Sequence, residues 1–484
     1  MNINWKFIVR VIGYVLILES LFLFLSAAVA GYFQGPDWRA LICSAIITLV
    51  AGAGLAISLG FRKKTNAIGK RESYIGVTCS WITFALFGAL PFYISGLFSG
   101  FTDTFFESMS GITTTGASII SDVDEIPHGL LFWRSIMQWL GGIGIVVFSV
   151  ALLPLLGGGA AQLFDAESSG LTHDKFRPRV NQMAKRLFGM YLLFTVLVIT
   201  LLGIGPMTWF DAVCNGLTTI STGGFSTRQA GIAYWNSPYI ESIQILFMTL
   251  GSINFTLLYF FLFKKDTKKF FKDEELRWFL TIIGISSIII GFGLFVNQGY
   301  SLFNSFRQSL FHVVSTITTT GFANNDFSLW GHDYFILLLF LMVFCGCAGS
   351  TSGGLKVVRG VVLAKNTVNE FNRLIHPRAI IPVRLNGIAL SFEVVQRLLA
   401  FIFLYIGIIF VSWGILTLSG IHFEEALGAS VSMIGNVGMG FGDLANSYAN
   451  APLLAKWYMS FLMVVGRLEI FTVLILFSPG FWKR

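Results

Sequence analysis

The sequence predicts an all-α polytopic membrane protein. It reads as two N-terminal transmembrane helices and four pseudo-repeats of helix, re-entrant pore loop and helix around one pore. Three observations predict this. The 484 residues are 55% hydrophobic and 12% charged, whereas soluble domains carry about twice that charge. Apolar runs of about 20 residues, the length that crosses a bilayer, recur from end to end. A Thr/Ser–Gly motif returns four times, always between two such runs, and four copies in register mark internal repeats.

The elements follow in order. Apolar spans at 7–32 and 39–60 form an N-terminal unit, residues 1–61. The first span is too long for the apolar core of a signal peptide and lacks a convincing cleavage site. Repeat one (72–156) runs from a helix at 73–97, through a short amphipathic piece near Thr102 and GITTTGAS at 111–118, to a helix at 129–155. Repeat two (182–264) has helices at 183–205 and 238–263 around TWFDAVCNGLTTISTGGFS at 208–226. Repeat three (277–364) has spans at 278–298 and 333–363 around SLFNSFRQSLFHVVSTITTTGF at 301–322. Repeat four (391–479) has helices at 394–418 and 453–477 around HFEEALGASVSMIGNVGMGFG at 422–442. The key glycines, Gly116, Gly223, Gly321 and Gly438, recur at intervals of roughly 100 residues. A second landmark follows each of them in the next helix: Gly141-Gly142, Gly251-Ser252, Gly346-Cys347 and Gly466-Arg467.

Charge predicts the orientation. The loops at 61–72, 156–186, 264–277 and 364–390 hold most of the Lys and Arg. The motif segments hold acids such as Asp103, Asp211, Glu424, Glu425 and Asp443. By the positive-inside rule the basic loops and both termini are cytoplasmic and the Thr-Gly motifs face outward, giving ten spanning and four re-entrant segments. The formal net charge of +8 therefore reads as a topology signal, not as nucleic-acid binding. Cys345-Gly346-Cys347 lacks zinc-site spacing and the histidines show no ligand pattern, so the cysteines read as small packing residues and His312 as a packed residue. Lys264 to Arg277 reads as a solvated loop.

Non-helical backbone at membrane depth survives only where it packs on protein or lines a water-filled path. Four such loops on one axis can replace the hydration shell of a cation with backbone carbonyls. Glycine allows the dihedrals that turn carbonyls inward. Flanking hydroxyls add ligands or brace the loop, and the C-terminal ends of the short helices favour a cation. Asp122, Asp124, Asp326 and Asp443 could concentrate cations at the outer mouth. The competing readings are glycines that merely end helices, and a secondary transporter, ion-coupled to Na+ or H+, with alternating access. Repeats of like orientation favour a pore. An enzyme would need convergent acids, nucleophiles or metal ligands, whereas the candidate pore positions offer hydroxyls, glycines and a single arginine, with no carboxylate pair or histidine cluster.

At this point the chain resembles the superfamily of Trk, Ktr and HKT potassium transporters, most closely its bacterial TrkH branch. The resemblance spans essentially the whole chain. It is carried by TTTG at 113–116, STGG at 221–224, TTTG at 318–321, NVGMG at 436–440, WLGGIG at 139–144, GCAGSTSGGLK at 346–356 and GRLE at 466–469. It implies a potassium-selective (also Rb+-conducting) pore in the bacterial inner membrane and a homodimer. It also implies a regulatory cytosolic ring of TrkA-like subunits that carry the nucleotide, with no cofactor in this chain. The implied filter is Thr114, Thr115, Gly116, Ser221, Thr222, Gly223, Thr319, Thr320, Gly321, Asn436, Val437 and Gly438, with Asn436-Val437 departing from the Thr/Ser pattern. Relatives that favour sodium carry serine at the first filter glycine; Gly116 here implies potassium over sodium.

Two features carry the expected gate. The stretch 346–354 is poor helix material, with Gly346, Gly349, Gly353 and Gly354 among Ser350, Thr351 and Ser352. The resemblance implies an intramembrane loop that blocks the pore from below. Arg467 falls at the depth of Gly142, Ser252 and Cys347, and a mid-membrane arginine faces a cavity or a partner. We expect it to face the pore and donate to the loop. Glu469, about 200° round a helix from it, should pair elsewhere. Lys356 reads equally as a second gate charge or as a cytoplasmic anchor.

Overall fold

The computed structural model describes residues 3–57, 69–152, 176–325 and 330–483. Helices α1 (Trp5–Tyr32) and α2 (Trp38–Ile57) form an antiparallel hairpin. Asn4 starts α1 by accepting from the Phe7 N–H at 3.1 Å. Gly13 and Gly52 bring the two backbones together: a Cβ on either would stand 2.9 Å from the other's carbonyl oxygen. Small residues at such crossings are how helices pack where lipid supplies no hydrophobic drive.

Each repeat then places a first helix, a short pore helix and a second helix. The first helices are Lys70–Gly88 (continued by Leu90–Ile94), Phe176–Ile204, Glu274–Asn297 and Phe392–Leu418. The pore helices are Phe101–Ile112, Trp209–Ile220, Leu302–Ile317 and Phe423–Gly435, each buried along its C-terminal half. Among the described residues six helices are long and apolar enough to span a bilayer, or eight if each bent pair counts as one span. Large apolar side chains such as Val50, Phe292 and Phe403 lie exposed on their outer faces, where lipid is the natural solvent. The apolar interior has two halves. One joins repeats one and four with the hairpin around Phe106, Trp133, Tyr405 and Met463. The other joins repeats two and three around Tyr191, Phe255, Phe279 and Phe311.

The second helices depart from expectation. Only the third was expected to break. In repeat one His128–Leu152 is a single helix. In repeat two Pro238–Ser252 and Phe255–Lys264 meet at 106°, and in repeat four Leu453–Arg467 and Ile470–Phe477 meet at 115°. The reason is local. Asn254 accepts from the N–H groups of Thr256 and Leu257, so it caps a new helix just after Gly251-Ser252. Glu469 takes φ +61°, which no continuing helix allows. In repeat three the helix stops at Val343 and resumes at Val357.

Ion pairs with at least one buried partner lie along the pore helices, and two of them join repeats. Lys456 of repeat four meets Asp103 of repeat one at 2.7 Å. Glu241 of repeat two meets Arg307 of repeat three at 3.3 Å. Arg134 meets Glu107 at 2.8 Å and lies over the Phe225 ring of repeat two.

Candidate functional site: a ring of four turns over a broken helix

All four pore helices end in the same turn. Thr114, Thr222, Thr319 and Asn436 take left-handed φ of +52°, +53°, +59° and +55°. The next N–H reaches back to close the helix: Thr115 to Ser110 O at 3.0 Å, and Gly223 to Thr218 O, Thr320 to Ser315 O and Val437 to Ser432 O at 2.9 Å each. This is a Schellman ending with Thr or Asn where glycine is usual. A glycine with φ of +79° to +82° follows two residues later: Gly116, Gly224, Gly321 and Gly438.

These glycines close a ring. A Cβ on Gly116 would stand 2.2 Å from the Gly223 carbonyl oxygen, and one on Gly224 would stand 1.9 Å from that of Thr320. One on Gly321 would stand 2.2 Å from the Val437 oxygen, and one on Gly438 would stand 2.0 Å from the Thr115 oxygen. The contacts run from repeat one to two, three, four and back to one. A side chain at any of the four would have to displace a neighbouring carbonyl and so reshape the ring.

The ring corrects the expected register of repeat two. Gly224, not Gly223, takes the positive φ and the ring contact. Ser221, Thr222 and Gly223 thus match Thr113, Thr114 and Thr115. The flanking sequence carries the same register: Asp103, Asp211, Gln308 and Glu425 each stand thirteen residues before the ring glycine. Two adjacent glycines left the choice ambiguous in the sequence. The hydroxyls at these turns mostly brace. Thr113 pairs with Thr115, and Thr318 with Thr320, at 2.8 Å each. Asn436 donates to Thr115 Oγ1 at 3.0 Å and to Met463 O at 2.9 Å, so the divergent fourth turn is tied across to the first.

The landmark glycines serve close approach. Cβ atoms on Gly141, Gly251 and Gly466 would stand 1.9, 3.1 and 2.1 Å from the carbonyl oxygens of Ile112, Ile220 and Ile434, the last turns of their own pore helices.

The 346–354 stretch is a loop against the underside of this ring, the side of the pore-helix C-termini. The Gly353 N–H donates to Thr319 Oγ1 at 3.0 Å, and Thr222 Oγ1 reaches Thr351 Oγ1 at 3.4 Å. Thr351 Oγ1 also donates to Gly251 O at 2.9 Å. Ser350 and Ser352 share a 2.7 Å hydrogen bond. Gly349 and Gly354 take φ of +72° and +67°. Gly346 is held against Ser252 and Ser352, where a Cβ would stand 2.2 Å from Ser352 Oγ. Arg467, 2% exposed, donates to Thr351 O at 2.7 Å and to Gly141 O at 3.0 Å. It thus ties repeat four to the loop and to repeat one. Glu469 pairs instead with Arg359 at 2.9 Å. Lys356, at φ +65°, donates to Ser352 O and so clips the loop's own end.

Other expected positions fall elsewhere. Asp124 pairs with Arg228 at 3.6 Å, Asp122 caps the Asp124 N–H, and Asp443 is exposed. Asp326 lies outside the described residues. His312 packs edge-on to Trp330 at 4.7 Å. The 264–277 segment is more than a solvated loop. It folds a short helix, Thr267–Lys272, beside a cavity of about 400 Å³ that Lys272, Glu275, Asn254 and Cys347 help line.

Sequence reasoning passed over several polar groups. Glu275 accepts from the Ala348 N–H at 2.7 Å and from that of Val358 at 3.2 Å, holding both ends of the loop region. Glu107 accepts from the Ile119 N–H at 2.9 Å. Gln138 touches repeat two. The signal available was an ionisable or amide side chain in or beside an apolar span, where its cost implies a task.

The architecture defines a polytopic helical protein with four re-entrant turns closed on one axis. The family model of TrkH, described as a cation transport protein, matches residues 40–484, and the chain belongs to this family. It is 35% identical to the Trk system potassium uptake protein TrkH of Salmonella typhimurium over 99% of this chain and 100% of that one. It is equally 35% identical to the protein TrkG of Escherichia coli K12, over 99% of each chain. The crystal structure of the potassium transporter TrkH from Vibrio parahaemolyticus superposes with a TM-score of 0.91 at 34% identity, covering 99% of this chain and all of that one.

Proposed function

We propose that this chain is a potassium-selective uptake pore. The four ring turns form its selectivity filter, and the 346–354 loop with Arg467 forms a gate beneath it. The observation that carries the reading is the closed ring: four equivalent turns meet glycine to carbonyl through all four repeats. Backbone held so rigidly at membrane depth suits dehydration of a cation. Potassium as the ion is supported by the names of relatives that match the chain end to end.

The gate reading is supported by the bonds from Gly353, Thr351 and Arg467, which hold the loop directly under Thr222 and Thr319. A cation leaving the filter meets this loop and a buried guanidinium, a barrier of both volume and charge. Lys356 acts as a clip on the loop. We further propose that a cytosolic ring of nucleotide-binding subunits moves the loop. In this reading the chain sits in the bacterial inner membrane with both termini cytoplasmic, and works as a homodimer. The Trk-system names of the relatives are in keeping with such a multi-component assembly.

The test is cation flux into proteoliposomes. Uptake of Rb+ and K+ over Na+ by the wild type, relaxed toward Na+ in Gly116→Ser, is the expected result. No cation flux in the presence of the cytosolic partner and its nucleotide would overturn the pore.

A further inference from the structure

The second filter turn differs from the others in how it is held. In repeats one and three the residue before the ring glycine is Thr115 or Thr320, whose hydroxyl pairs with a threonine of its own turn. In repeat four Asn436 supplies the brace. In repeat two that residue is Gly223, followed by the ring glycine Gly224, so two adjacent residues lack side chains. Such a pair has the largest backbone freedom of any dipeptide and no side chain with which to brace itself.

The brace comes from another repeat. Gln138, on the second helix of repeat one, donates through Nε2 to the Gly223 carbonyl at 2.6 Å. It accepts through Oε1 from the Phe225 N–H at 3.1 Å. The amide thus grips the peptides on both sides of Gly224. Gln138 is fully buried. It also occupies the space a side chain at position 223 would need: a Cβ there would stand 2.4 Å from its Cδ and Oε1. Three residues before Gly251 and Gly466, where repeats two and four could place the same amide, stand Met248 and Met463.

We infer that Gln138 is a specificity-determining positioning residue of the filter, a clamp that replaces in repeat two the side-chain brace the other repeats carry themselves. It does not touch the ion. It fixes the peptide planes around Gly224, and hence the shape of the ring. The inference rests on the proposed pore reading.

The experiment compares K+ with Na+ permeability by reversal potential in proteoliposomes. Gln138→Glu keeps the shape and the acceptor and, as the carboxylate, has no donor for Gly223 O, so the ratio is read at a pH high enough to ionise it. Losing one such hydrogen bond should lower the K+/Na+ ratio by roughly three- to tenfold, with assembly retained. Gly223→Thr should lose selectivity by collision with Gln138. Gly223→Thr with Gln138→Ala rebuilds the arrangement of repeat one and should recover at least half of the wild-type ratio. Selectivity in Gln138→Glu within twofold of the wild type would overturn the clamp. So would a double variant whose loss equals the product of the losses measured for Gly223→Thr alone and for Gln138→Ala alone. A wild type that conducts without preferring K+ would instead overturn the filter reading itself. Where Gln138→Glu does not assemble, the rescue by the double variant decides.

Discussion

The four pore-helix ends and the four second helices teach opposite lessons. The ends are near copies, with φ at the left-handed residue between +52° and +59° and a glycine two residues later at +79° to +82°. The second helices take three forms: one continuous, two bent by more than 100°, one interrupted by a loop. Under the proposed reading, a filter that surrounds one ion from four sides requires equivalence, and a gate that one element raises and lowers requires that the repeats differ. Repeat one supplies the acceptor Gly141 O, repeat three the loop and repeat four the arginine.

The comparison breaks most readily at the ring. A side chain at Gly116 or Gly438 meets backbone oxygen at 2.2 or 2.0 Å. The left-handed conformation adds about 1–2 kcal/mol for a residue with a Cβ. Gly116→Ser should therefore lower the K+/Na+ flux ratio by about tenfold or more. Ion flux in proteoliposomes checks this, and an unchanged ratio would mean the ring does not select. Next comes Arg467→Ala. A hydrogen bond to a charged group contributes about 1.5–3 kcal/mol, so loss of the Thr351 contact should shift the loop toward open and raise basal Rb+ flux by roughly tenfold. Unaltered flux would remove Arg467 from the gate. Gly353→Ala should act in the same direction with a smaller rise, because its Cβ would stand 2.4 Å from Gly435 O and push the loop off the ring. Thermal unfolding of the same samples separates gating from misfolding. Smallest is Glu469→Gln. Its carboxylate is half exposed where it meets Arg359, and such pairs contribute about 0–1 kcal/mol. Flux should change less than twofold; a larger rise would place this pair within the gate as well.

The N-terminal hairpin, the four repeats and three of the four ring glycines were legible in the sequence, because hydropathy and recurrence are both written along the chain. Arg467 was legible because a guanidinium among apolar residues is costly wherever it lies. Gly224 was harder to read, since Gly223-Gly224 offers two registers; the thirteen-residue spacing from Asp211 favours it, and the close approach to Thr320 O decides it. The bends after Ser252 and Arg467 escaped because a hydropathy window sums transfer free energy and is blind to backbone direction. Asn254 was the one local hint, a helix-capping residue inside an apolar run.

What the sequence determined by itself is the solvent the chain lives in, the number of repeats and the residue types each turn needs. These follow from quantities that add residue by residue: apolar area, charge and conformational freedom. What only the tertiary structure decided is which residues meet. Gln138 and Gly223, Arg467 and Gly141, and Glu469 and Arg359 are joined by hydrogen bonds or ion pairs between residues far apart in the chain. Such pairings exist only once the repeats have closed around their axis, and no periodicity along the chain encodes them.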